Sequence, residues 1–136
     1  TRELRSFCTR FSIPRKITNN LLEQKEYSDK IGELLLHRRA MKNSEIFWLF
    51  DELSNESLLY LMAVARKNHV KRYISTYVTT LRQISPITTG KKLQQLGYAP
   101  GPIFSTILND LLSARLDNDV TTEEEELDFI AKNYPL

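Results

Sequence analysis

Glycine is scarce: 4 of 136 residues, about 3% where ~7% is typical. Tight β-turns and glycine-rich nucleotide loops therefore have little material, which favours helices. Cysteine is reduced to Cys8 alone, which excludes a disulfide framework and any multi-cysteine metal site and suits the reducing cytoplasm. No apolar run approaches the roughly 20 residues of a membrane span, so a membrane partner is not expected. The first residues, Thr1-Arg2-Glu3-Leu4, offer neither an initiator methionine nor a signal peptide. They suggest a fragment of a longer protein.

What is present suits a soluble globular chain: 41% hydrophobic and 26% charged residues in a length appropriate to one domain, residues 1–136. The formal net charge is only +2, yet charge is distributed in blocks. Residues 1–42 hold ten Lys/Arg and five Asp/Glu, and 43–65 hold four acids and no base. Residues 66–95 hold seven bases and no acid, and 96–136 hold two bases and eight acids. A basic stretch of that kind concentrates positive potential as a polyanion site requires. A solvated face neutralised by the acidic C-terminal stretch is the alternative.

Apolar residues recur at 3–4 spacing almost throughout, which predicts an all-α bundle of seven or eight helices in a single domain. Leu4, Phe7, Cys8 and Phe11 mark a first helix, stopped by Pro14. Ile17, Leu21, Ile31, Leu34 and Leu35 supply the expected buried stripe of a second. The runs 46–50 and 58–65 are apolar on every face, so Phe47, Trp48, Leu59, Leu61 and Met62 are expected to be buried. Ser54 reads as an N-cap. Residues 70–84 form the most regular amphipathic period, with Pro86 expected to close it. A short helix from Lys91 to Leu96 meets Gly97 at a left-handed cap position. A helix from Pro102 to Leu116 follows, then a turn at Asp117-Asn118-Asp119. Thr121 and Thr122, three residues before Glu124 and Glu125, open the last helix with a capping-box spacing.

Few residues carry chemistry. His37 and His69 lack ligand-spaced neighbours and read as helix-end histidines; Cys8 reads as a small buried hydrophobe. Thr89-Gly90-Lys91-Lys92 resembles the end of a P-loop, but Ser85 and Lys92 stand where that motif needs Gly and Ser/Thr. Asp117 and Asp119 have the spacing of a two-metal carboxylate pair, yet lie between helices and read as a polar turn. Glu123 to Glu126 reads as a dipole-stabilised helix start.

The stretch from Gly90 to Ile103 stands out. It joins two helices through a tight loop, and the second helix begins at Gly101-Pro102. A helix start exposes unpaired N–H groups, and glycine there lets a phosphate approach. Lys91, Lys92, Gly97, Tyr98 and Gly101 are the candidate RNA-contacting residues of this loop, with Arg66, Lys67, Lys71 and Arg72 extending the basic track. A plain, well-capped helix–helix turn remains the alternative.

Ile87-Thr88-Thr89-Gly90-Lys91-Lys92-Leu93, Leu96-Gly97-Tyr98-Ala99-Pro100-Gly101-Pro102-Ile103-Phe104, Ile107-Leu108, Ala114, Leu116-Asp117 and Thr122 to Leu127 resemble the C-terminal body and tail region of bacterial tRNA nucleotidyltransferases (CCA-adding enzymes) and the related poly(A) polymerases. Residues 56–63 and 74–77 fit the preceding helices, and the resemblance covers residues 44–130. Lys92 stands where that family usually has Asp, and Ser105 and Asn118 where it often has Gly. Asn tolerates the left-handed backbone of such a turn.

The resemblance implies a helical RNA-binding module that holds tRNA or another structured RNA by its phosphates. The chemistry, with Mg and CTP or ATP, would belong to a head domain, and nucleotide selection to a neck helix. Neither the Gly-Ser loop of the head nor the acid-Asp-x-x-Arg motif of the neck occurs here, so the fragment itself is expected to need no cofactor and to bind without catalysing. Head and neck would be partners within the same chain. A helical protein-interaction or dimerisation module, a homodimer included, is the other reading.

Overall fold

The computed structural model describes residues 1–136. Eight α-helices follow in order: α1 (Arg2–Arg10), α2 (Arg15–Leu36), α3 (Asn43–Phe50), α4 (Asn55–Val64), α5 (Asn68–Thr79), α6 (Gly90–Gln95), α7 (Pro102–Leu116) and α8 (Glu123–Asn133). A 3₁₀ turn, Leu81–Gln83, lies between α5 and α6, and there is no strand. The fold is all-α.

Local chemistry explains most boundaries. The Ser54 side chain accepts the Ser57 N–H at the start of α4, and Thr89 accepts the Lys92 N–H at the start of α6. Thr122 and Glu125 complete a reciprocal capping box on α8, which satisfies two donors that a helix start leaves orphaned. Pro102 occupies the first turn of α7, where its missing N–H costs nothing. Gly97, at φ +103°, ends α6, and Asn118, at φ +59°, makes the turn after α7.

The chain forms two compact units. The first comprises residues 1–40 and 49–75, the second residues 41–48 and 76–136. In the first, Cys8, Leu22, Ile31, Leu35, Leu58 and Leu61 are buried. His69, partly buried, places Nε2 2.8 Å from the Leu35 carbonyl 34 positions away, so it serves the C-terminal end of α2 as a helix-end histidine. In the second, Leu93, Tyr98, Ile107, Leu111 and Ile130 form a core flanked by Leu96, Phe104, Leu108, Phe129 and Tyr134.

Several burial expectations are corrected. Leu59 is 71% exposed, whereas Leu58 and Leu61 are buried; only one face of α4 is covered, so its fully apolar circumference does not make it central. Met62 is half-buried. Trp48 is 37% exposed, its Nε1–H donating to Ser113 Oγ at 2.8 Å while its ring meets Phe47 edge-on. Phe47 itself is buried. On α2, Ile17, Leu21 and Leu34 are exposed, and the buried side is Leu22, Ser28, Ile31 and Leu35. Helix α5 ends at Thr79, well before Pro86, because Thr80 leaves helical geometry (φ −128°) and the chain tightens into the 3₁₀ turn.

Candidate functional site

Helices α6 and α7 and the loop between them belong to the second unit. Their placement starts from a buried carboxylate on α8. Glu126 is 0% exposed; its Oε1 accepts the Ile87 N–H at 2.9 Å and Arg115 Nη1–H at 2.8 Å. Its Oε2 accepts the Thr88 N–H at 2.8 Å and the Thr88 hydroxyl at 2.6 Å. Burial pushes this carboxyl's pKa up, but the Thr88, Ile87 and Arg115 donors outweigh burial and hold it below the ordinary glutamate value. The non-helical segment Ile87–Thr88 is thereby tied down immediately before the Thr89 cap that opens α6.

From that anchor α6 presents its two lysines differently. Lys91 is exposed, whereas Lys92 is half-buried, with Nζ 3.9 Å from Glu123 Oε1. A contact that long between partly solvated charges is weak. Gly97 is occupied by its structural duty: φ is +103° there, and a Cβ would stand 3.3 Å from Leu136 Cδ1. Tyr98 is buried in the core, and its hydroxyl donates to the Tyr134 carbonyl, so its ring is packing rather than a surface offered to a base. Tyr134 in turn donates its hydroxyl to Asp110, a bond that pushes the Tyr134 pKa up to about 12.

Gly101 is the residue the fold does not explain. Its backbone is extended (φ 162°), a conformation open to any residue, and no atom lies within 4 Å of where a Cβ would stand. It offers no side chain to cap α7. The exposed start of α7 thus follows the lysine-bearing helix across a short loop, and the place where Gly90 lacks a Cβ is 3.4 Å from the Phe104 ring. The other four candidates, Arg66, Lys67, Lys71 and Arg72, are exposed and belong to the first unit.

The remaining sequence candidates resolve into structure. The Asp117 carboxylate accepts two hydrogen bonds from Ser44, which makes it a cap for α3. Cys8 is buried. No helix is long and apolar enough to cross a membrane. Sequence reasoning missed Glu126 and Arg115, because Glu123 to Glu126 resembles a uniform acidic helix start. One signal was available: Glu126 sits four residues before Ile130 and therefore on the covered face of α8.

Comparison with known proteins relates the sequence to one family. No family model matches the chain, and no solved structure does. The chain is 35% identical over 124 residues to an A-adding tRNA nucleotidyltransferase of Geobacter sulfurreducens, an alignment covering 88% of this chain. It spans 14% of that relative's length. The chain belongs to a family related to the tRNA nucleotidyltransferases.

Proposed function

We propose that this chain is a helical RNA-binding module of a tRNA nucleotidyltransferase, holding a tRNA by its backbone phosphates at the α6–α7 turn. The observation that carries the reading is Gly101, a glycine required by neither backbone conformation nor packing, at an uncapped helix start that follows Lys91 and Lys92 across the short α6–α7 loop. Helix N–H groups and two ammonium groups together suit an anion, and contacts of this kind set register without reading bases. Arg66, Lys67, Lys71 and Arg72, exposed on the first unit, form a second basic group there.

The relative's name, an A-adding tRNA nucleotidyltransferase, favours a parent protein that adds A to tRNA. In this reading Mg and the nucleotide are held by a head domain outside these residues, and the present chain binds RNA without extending it. A second reading has its own support. Phe7, Ile17 and Leu21 are exposed on α1 and α2, and an open groove of about 840 Å³ that they line presents largely apolar surface. That face suits another polypeptide, as a protein-interaction module requires.

Binding of a tRNA and of a scrambled duplex RNA across a salt series separates the two. Gly101→Asp places an acid at a favourable N-cap position, so it should leave the melting temperature nearly unchanged while weakening binding to both RNAs. The wild-type affinity should fall steeply with salt. If wild type binds neither RNA, or Gly101→Asp binds as wild type does, the protein-interaction reading replaces this one.

A further inference from the structure

We infer that Glu126 is the positioning residue of the RNA grip, acting through Ile87, Thr88 and the start of α6 to hold Lys91 and Lys92 beside the N-terminus of α7. The inference rests on the reading of the two lysines as phosphate partners. The chain of contacts is continuous. All four donors to Glu126 are accounted for: two backbone N–H groups, one hydroxyl and one guanidinium. Two of the residues concerned, Ile87 and Thr88, precede the Thr89 cap directly, and Lys91 and Lys92 follow one residue beyond it.

Charge makes the arrangement compatible with a polyanion. An exposed carboxylate close to the lysines opposes phosphate, as Glu123 does where it lies 3.9 Å from Lys92, and a second one there would weaken the grip further. Glu126 is instead fully buried and paired with Arg115 at 2.8 Å, so the pair contributes little field outside the protein. Glu126 therefore supplies rigidity without cancelling the lysines. It is also suited to rigidity by geometry: a carboxylate that receives two backbone N–H bonds from successive residues fixes the path of the chain between them. Because Gly90 lies close against Phe104 in the first turn of α7, fixing the entry to α6 also fixes the distance from the lysines to Gly101.

The test uses the full chain at a temperature well below each variant's melting point, with a tRNA and a scrambled duplex RNA as probes across a salt series. Lys91→Ala/Lys92→Ala tests the grip itself and should lower the salt slope by about two units. Glu126→Gln keeps the side chain's shape and removes its charge. It should lower the slope by about one to two units, and should add no further loss in the Lys91→Ala/Lys92→Ala background. Thr88→Val removes only the hydroxyl donor and should produce a smaller loss of the same kind. A merely structural Glu126 would lower the melting temperature and leave affinity and slope of the folded protein unchanged in both variants, which overturns the inference. Additional loss in the double-lysine background overturns it too. Should Glu126→Gln fail to fold, Thr88→Val decides alone, wild-type affinity and slope overturning the inference. An unchanged slope in Lys91→Ala/Lys92→Ala sinks the grip and the inference with it, whereas a reduced slope there beside unchanged Glu126→Gln and Thr88→Val sinks the inference only.

Discussion

Asp117 closes the start of α3 from 73 positions away: its Oδ1 accepts the Ser44 N–H at 2.9 Å and its Oδ2 accepts the Ser44 hydroxyl at 2.6 Å. Asn43 adds a bond from its side-chain amide to the Leu116 carbonyl at 3.1 Å, so both ends of the contact satisfy orphaned helix groups. Asp117→Ala leaves the Ser44 donors without an acceptor and should cost about 1 to 3 kcal/mol. Asp117→Asn retains one acceptor oxygen and should cost less. Urea denaturation of the three proteins checks the order; equal stability would show that water replaces the carboxylate freely.

Acid should destabilise the second unit through Glu126. Its folded-state pKa is held below the ordinary glutamate value by the Thr88, Ile87 and Arg115 donors, despite the opposing effect of burial. The unfolded chain therefore takes up the proton first, and the stabilisation present at neutral pH is lost as pH falls from about 5 through the folded-state pKa. Glu126→Gln should be less stable by about 3 kcal/mol or more at neutral pH, since it leaves the partly buried Arg115 unpaired. Its melting temperature should also decline less steeply with acid than that of wild type. Parallel pH profiles for the two proteins would contradict this.

The two glycines of the loop should respond oppositely to alanine. Gly97 has φ +103° and a close neighbour in Leu136, so Gly97→Ala should cost about 1 to 2 kcal/mol of backbone strain. Gly101 is extended with open space around it. Gly101→Ala should change stability by less than about 0.5 kcal/mol. Chemical denaturation of both variants measures the contrast, and equal losses would mean that the loop tolerates or resists both changes for some common reason.

How much of this was legible beforehand divides along physical lines. The turns and caps were readable because they depend on residues within a few positions of one another. Ser54 and Thr122 are N-caps where an oxygen stands three residues before a first-turn N–H, Gly97 takes the left-handed position that a Cβ disfavours, and Asn118 tolerates the same region. The α6–α7 turn was legible for the same reason.

The sequence by itself determined the helices, their capping chemistry and the short turn between the helix that bears Lys91 and Lys92 and the helix that starts at Gly101. Tertiary structure alone decided which apolar residues are covered: Leu58 but not Leu59, Leu22 but not Leu21. A helical period marks where a side chain points, and an apolar helix offers several faces, so only the neighbouring helix selects among them. It also decided that Tyr98 belongs to the core, and that one glutamate in a row of four is buried. Glu123, Glu124 and Glu125 remain in water while Glu126 meets Thr88 and Arg115, because a carboxylate can be buried only where distant parts of the chain bring enough donors to offset its lost hydration.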